Sequence, residues 1–136
     1  MIRIYDLSVG NWVRLSGGVD YQVKAIDATF DRLTLIGNGE QRNESLYKVN
    51  PIVISKRILG NSGWVTDETY ARMSIDDNIS LEYYYHEHRL RKWYSGVDEW
   101  NNHERTTEIT FEAQCWYIHQ LQNALRLAGV DIGINL

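Results

Sequence analysis

Arg89-Leu90-Arg91-Lys92-Trp93-Tyr94 sets three cations beside two aromatic rings within six residues. On a strand, Arg89 and Arg91 share a face because successive side chains alternate, and Lys92, Trp93 and Tyr94 follow at its end. Cations meet phosphate and rings stack on a base, so this run suits a nucleotide, another small anionic ligand or single-stranded nucleic acid. The same composition guards ordinary sheet edges, where Lys and Arg discourage aggregation. Glu87, Asp98, Glu99 and Glu104 are also near enough in sequence to neutralise it.

His86 and His88, in Tyr83-Tyr84-Tyr85-His86-Glu87-His88, form the one His-x-His pair. In a strand the two imidazoles project to one face with Tyr84 and Glu82, a spacing that can bring two nitrogens to a metal. His103 would supply a third if its loop folded back. Zinc takes three or four committed ligands, and no other Cys/His spacing completes this set, so an exposed face of aromatic and polar residues is the preferred account.

His119, Gln122 and Asn123 form a third constellation. At helical spacing they share a surface, which could hold a ligand through imidazole and amide hydrogen bonds. Amides and imidazoles both donate and accept, and this suits them equally to bonding the backbone of neighbouring strands and loops. The packing role is preferred. Cys115 stands four residues before His119, but a thiol nucleophile needs an oriented base and an activating environment. A buried, inert thiol is the simpler reading. No Gly-rich phosphate loop and no Gly-x-Ser-x-Gly elbow occurs. No catalytic residue is therefore assigned, no cofactor is expected, and the balance is against an enzyme.

These residues need elements to position them. Trp12–Leu15, Tyr21–Ile26, Leu33–Ile36 and Leu46–Val49 read as short strands separated by Gly-rich turns. Four or five strands at such spacing predict a small, bent antiparallel barrel of SH3-like type over residues 1–54. Residues 51–63 form a hinge, with Ser55 as N-cap of a short helix that Gly60 or Gly63 ends. Thr69–Ser74, Ile79–Tyr85, Arg89–Tyr94 and Thr106–Phe111 then predict an antiparallel meander sheet. A long helix over 112–128 follows, with Ile118, Leu121, Leu125 and Ala128 on its apolar face and Gly129 as its stop. The polar members His119, Gln122, Asn123 and Arg126 are expected on the opposite or flanking face. The fold class is α+β, with residues 55–136 as its second unit.

At 136 residues the chain makes one domain, or two very small ones sharing a core. Fourteen basic against eighteen acidic residues leave a net charge of −4, with the acidic excess beyond residue 55. That balance lacks the broad attraction that drives non-specific binding to duplex DNA. A single cysteine excludes an intramolecular disulfide. No apolar run approaches the ~20 residues that span a bilayer, and no signal peptide is evident. A cytoplasmic location with no membrane partner is the expectation.

Asp6-Leu7-Ser8-Val9-Gly10-Asn11-Trp12-Val13 and Tyr117-Ile118-His119-Gln120-Leu121-Gln122-Asn123 together resemble the signature of a family of small bacterial proteins, also carried by phages and mobile elements. The connector Val49-Asn50-Pro51-Ile52-Val53-Ile54-Ser55 resembles that family's Pro-Ile-Pro-Leu-Thr segment, with Val53 in place of the second proline. The matches span nearly the whole chain, the two ends being the specific part. The family has no established activity, so the resemblance implies a setting and marks the helix carrying His119 as a defining element.

Three functions fit these observations. The first is a non-catalytic binding module for a protein or small anionic ligand, in the form of an accessory protein that sequesters a host factor or nucleotide. The second is a homo-oligomeric assembly protein built on exposed aromatics such as Trp93 and Trp100. The third is a small metal-dependent hydrolase using His86, His88 and His103.

Overall fold

The computed structural model describes residues 2–97 and 105–136. It is a mostly-β α+β fold: a curled five-stranded antiparallel half-barrel, a second, open antiparallel sheet, and a C-terminal helix. The fold class expected from the sequence is the one observed. The chain divides into two compact units, Met1–Ile54 with Tyr117–Asn123, and Ser55–Trp116 with Ala124–Leu136.

In the first unit, β1 (Trp12–Leu15), β2 (Asp20–Asp27), β3 (Arg32–Gly37), β4 (Glu40–Ser45) and β5 (Val49–Asn50) lie in the order β4-β3-β2-β1-β5. Alternation buries Val13, Leu15, Tyr21, Val23, Leu33 and Leu35 on the inner side. A bulge shifts the β2–β3 register between Val23 and Ala25. Past it, Ile26 packs against the core while Ala25 is exposed, and bulges of this kind bend a sheet. Gly37 is required by close approach: a Cβ there would meet the Asp20 carbonyl and the Tyr21 ring at 3.0 Å.

Two expectations for this unit fail. Leu46–Val49 is not a strand: Leu46–Lys48 is a 3-10 turn, with Ser45 Oγ accepting the Tyr47 N–H, and only Val49–Asn50 pairs with β1. The fourth strand is instead Glu40–Ser45, whose all-polar run carries no hydrophobic alternation because it forms the sheet edge.

The second unit opens with α1 (Lys56–Asn61), where Ser55 Oγ accepts the Ile58 N–H at 3.3 Å as the expected N-cap. Gly60 lies inside the helix, and Gly63, at φ +93°, follows its end. β6 (Val65–Thr66), β7 (Tyr70–Ser74), β8 (Ile79–Tyr84), β9 (Arg89–Val97) and β10 (Arg105–Gln114) form a meander in sequence order. One side is the buried one, lined by Ala71, Leu81, Tyr83 and Leu90. Tyr83 satisfies its hydroxyl by donating to the Cys115 carbonyl at 2.7 Å.

The helix α2 spans Ile118–Leu127, not 112–128. Glu112, Ala113 and Gln114 have helical propensity, but the β9 ladder holds them opposite Arg91, Leu90 and Arg89. Ile118, Leu121, Leu125 and Ala128 are buried as the periodicity required, and Gly129 ends the helix at φ +73°. Among the described residues no helix is long and apolar enough to cross a membrane.

Candidate functional site

The polar outer side of the second sheet holds the richest set of exposed chemistry. Register places Arg72, Glu82, Arg91 and Glu112 in one row across β7, β8, β9 and β10, opposite charges alternating strand by strand. The next row carries Tyr70, Tyr84 and Arg89. Cross-strand neighbours of this kind interact directly.

Arg89 Nη1 donates to Glu112 Oε1 at 2.7 Å, and Arg91 Nε reaches the same oxygen at 3.3 Å. Arg91 Nη2 donates to Glu87 at 3.2 Å. The Arg91 guanidinium also lies over the Tyr84 ring, 4.8 Å from its centroid, and Tyr70 lies on the ring's other neighbour side at 5.7 Å with a 32° tilt. Tyr84 donates its hydroxyl to Glu82 at 3.2 Å. The hydrogen bond from Arg89, supported by Arg91, holds the Glu112 carboxyl below its ordinary range. Partial burial, then the Glu82 carboxylate, raises Tyr84. The result is a charge-balanced face whose arginines are held in place by groups that a ligand's own carboxylate, phosphate or ring could replace.

The structure brings Arg89, Arg91 and Trp93 together on this face. Lys92 and Tyr94 alternate to the other side, and β9 continues past them to Val97. Lys92 Nζ there donates to the Ala128 carbonyl at 2.8 Å, binding the C-terminal end of α2. Glu112, the carboxylate shared by both arginines, was missed in the sequence because it stands 21 residues or more away and meets them only through the β9–β10 register. Among the foreseen acidic neighbours, Glu87 is paired as expected; Asp98, Glu99 and Glu104 lie outside the described residues.

His86 and His88 do not share a strand face. β8 stops at Tyr84, and residues 85–88 form the turn to β9, with His88 in the left-handed region at φ 51°. The His88 ring stacks on Trp116 at 5.4 Å, and His86 is exposed. Among the described residues no group of three His, Cys, Asp or Glu side chains is placed to hold a metal. His103 and Trp100 lie outside the described residues.

His119, Gln122 and Asn123 belong to the first unit, and the two amides make a clasp. Gln122 Oε1 accepts the Trp12 N–H at 2.8 Å, and its Nε2 donates to the Gly10 carbonyl at 3.2 Å. Asn123 Nδ2 donates to the Asp6 carbonyl, and its Oδ1 accepts from Asn11 Nδ2, both at 3.0 Å. Asn11, fully enclosed, uses its own Oδ1 to accept the Ser8 N–H. The two motif segments at the chain's ends are thus bonded to each other. His119 is buried rather than flanking, 3% exposed. Cys115 precedes the helix, so it and His119 do not share a helical turn. Burial pushes the Cys115 thiol up to about 12, the opposite of what a nucleophile needs.

No family model, curated protein or solved structure matches this chain.

Proposed function

We propose that this protein is a non-catalytic binding module whose working surface is the outer face of the second sheet, taking a protein or small anionic ligand. The Tyr70–Tyr84–Arg91 stack, with Arg91 and Arg89 converging on Glu112, carries the reading. A guanidinium held over a ring, as Arg91 is, is preorganised for carboxylate or phosphate and loses little freedom on binding. A ligand acid would enter by displacing Glu112 from the arginines. The resemblance to mobile-element proteins supplies the setting, an accessory protein that sequesters a host factor or nucleotide.

Native mass spectrometry of protein purified without chelators, followed by tryptophan-fluorescence titration with a nucleoside triphosphate and a short single-stranded oligonucleotide, tests this reading. The expected result is a bound mass or a saturable quench that the double variant Arg89→Ala, Arg91→Ala weakens at least tenfold with the fold intact. A ligand held equally well by the double variant would move the site off this face.

Assembly is the second reading, and β10 favours it. This ten-residue strand pairs with β9 on one side and has no strand on its other among the described residues; an unpaired edge is a template for another chain. Light scattering showing a single-subunit mass at high protein concentration would remove it.

A further inference from the structure

His119 is a buried titratable group that the binding face leaves unused. Its Nδ1 is sealed from solvent and has no hydrogen-bond partner. Its ring lies parallel to Tyr117, 7° between planes at 5.9 Å. One turn further along the same helix are Gln122 and Asn123, whose four bonds hold the backbone and side chains of residues 6–12.

The surroundings within this unit offer little to a second ring proton. The Ile4–Asp6 turn brings one carboxylate, Asp6, which acts on the ring but is already engaged by Arg3 Nε at 3.1 Å. Residues 7–11 carry no ionisable side chain. Nor do residues 50–54, which take the Ile118 N–H on the Ile52 carbonyl and bridge Tyr117 through Val53. On the helix itself the ring's companion is Tyr117. An imidazolium would have to place an N–H at Nδ1 with no acceptor and a charge with no free counterion, both costly inside a protein.

We propose that His119 makes the clasp acid-sensitive: protonation of its ring releases residues 117–123 from the 6–12 segment. The closed clasp disfavours the proton, because burial outweighs the opposing pull of Asp6. The opened segment exposes the ring and takes it up at the ordinary value. By linkage the clasp is at full strength above pH 6.5, the ordinary value of the ring, and loosens as pH falls below it. One extra proton in the open state weakens closure by about tenfold per pH unit at most. The device is independent of the ligand face.

Hydrogen exchange on the intact chain between pH 7.5 and 5, corrected for intrinsic exchange rates, reads this directly. The Trp12 amide, which donates to Gln122, and the Leu121 amide are the reporters. Their protection is expected to fall about fivefold from pH 6.5 to 5.5, and to approach tenfold per unit only below that, while the amides of β8 keep theirs. His119→Gln should abolish the fall. If that variant does not fold, the ring of the wild-type protein is followed by NMR, and its resonance should show no titration while the Trp12 amide stays protected. Reporter protection independent of pH, a parallel loss in β8, or a ring that titrates at its ordinary value with the clasp closed would each overturn the proposal.

Discussion

Two groups of polar side chains that look alike as candidate binding residues meet opposite fates. In the first unit, the Gln122 and Asn123 amides end on backbone groups and on the enclosed Asn11. In the second unit, Arg89 and Arg91 end on Glu112 and Glu87, side chains that keep contact with water. A part-buried amide whose oxygen and nitrogen are both committed to the chain is tied up in the fold, and losing it strands its partners. An exposed ion pair exchanges partners at little cost. The hydrogen-bond partner, backbone or enclosed side chain against water-exposed carboxylate, separates a folding clasp from a usable surface.

The largest effect belongs to the clasp. Asn123→Ala strips a partner from both Asn11 Nδ2 and the Asp6 carbonyl. A loss of about 2–3 kcal/mol in urea denaturation is expected. A loss below about 0.5 kcal/mol, within the range of ordinary surface substitutions, would show that water replaces the amide and would erase the contrast between the units. Gln122→Ala should follow at about 1–2 kcal/mol. The double variant should fall short of the sum, because both side chains hold the same short segment.

Lys92 tests the contrast from within the arginine strand. It alternates away from Arg91, and its ammonium meets a carbonyl at the end of α2. Lys92→Met should cost about 0.5–1 kcal/mol and leave ligand affinity untouched. If instead it weakened an anionic ligand as much as Arg91→Ala, the two sides of β9 would not be functionally distinct.

What could be read from sequence follows the same division. Strands that bury alternate residues, such as Trp12–Leu15 and Ile79–Tyr84, announce themselves because water enforces the period. β4 has no such signature, since all six of its side chains are polar and only Glu44 is buried. The alternation that placed His86 and His88 on a strand ran past Tyr84 into a turn, where His88 adopts a left-handed backbone without the usual glycine. The start of α2 was displaced by six residues because local propensity at Glu112–Gln114 yields to a nonlocal ladder. The candidate face was half legible: the shared side of Arg89 and Arg91 follows from period two, but the Glu112 partner depends on a β9–β10 register interrupted between Ile109 and Phe111.

The smallest expected change in stability sits where the largest change in binding is proposed. Arg91→Ala removes two part-exposed ion pairs and a stack on Tyr84, together about 1 kcal/mol or less. Glu112→Gln sharpens the point through pH. The wild-type carboxyl is depressed by Arg89 and then Arg91, so its contribution is present above the ordinary 4.5 and is lost as pH falls below it. Glu112→Gln should flatten that acid limb by lowering neutral-pH stability by the same small amount, to the level the wild type reaches in acid. It should also free both guanidinium groups, so that an anionic ligand binds more tightly to this variant than to wild type. Weaker binding would mean that Glu112 orients the arginines for the ligand instead of occupying its place.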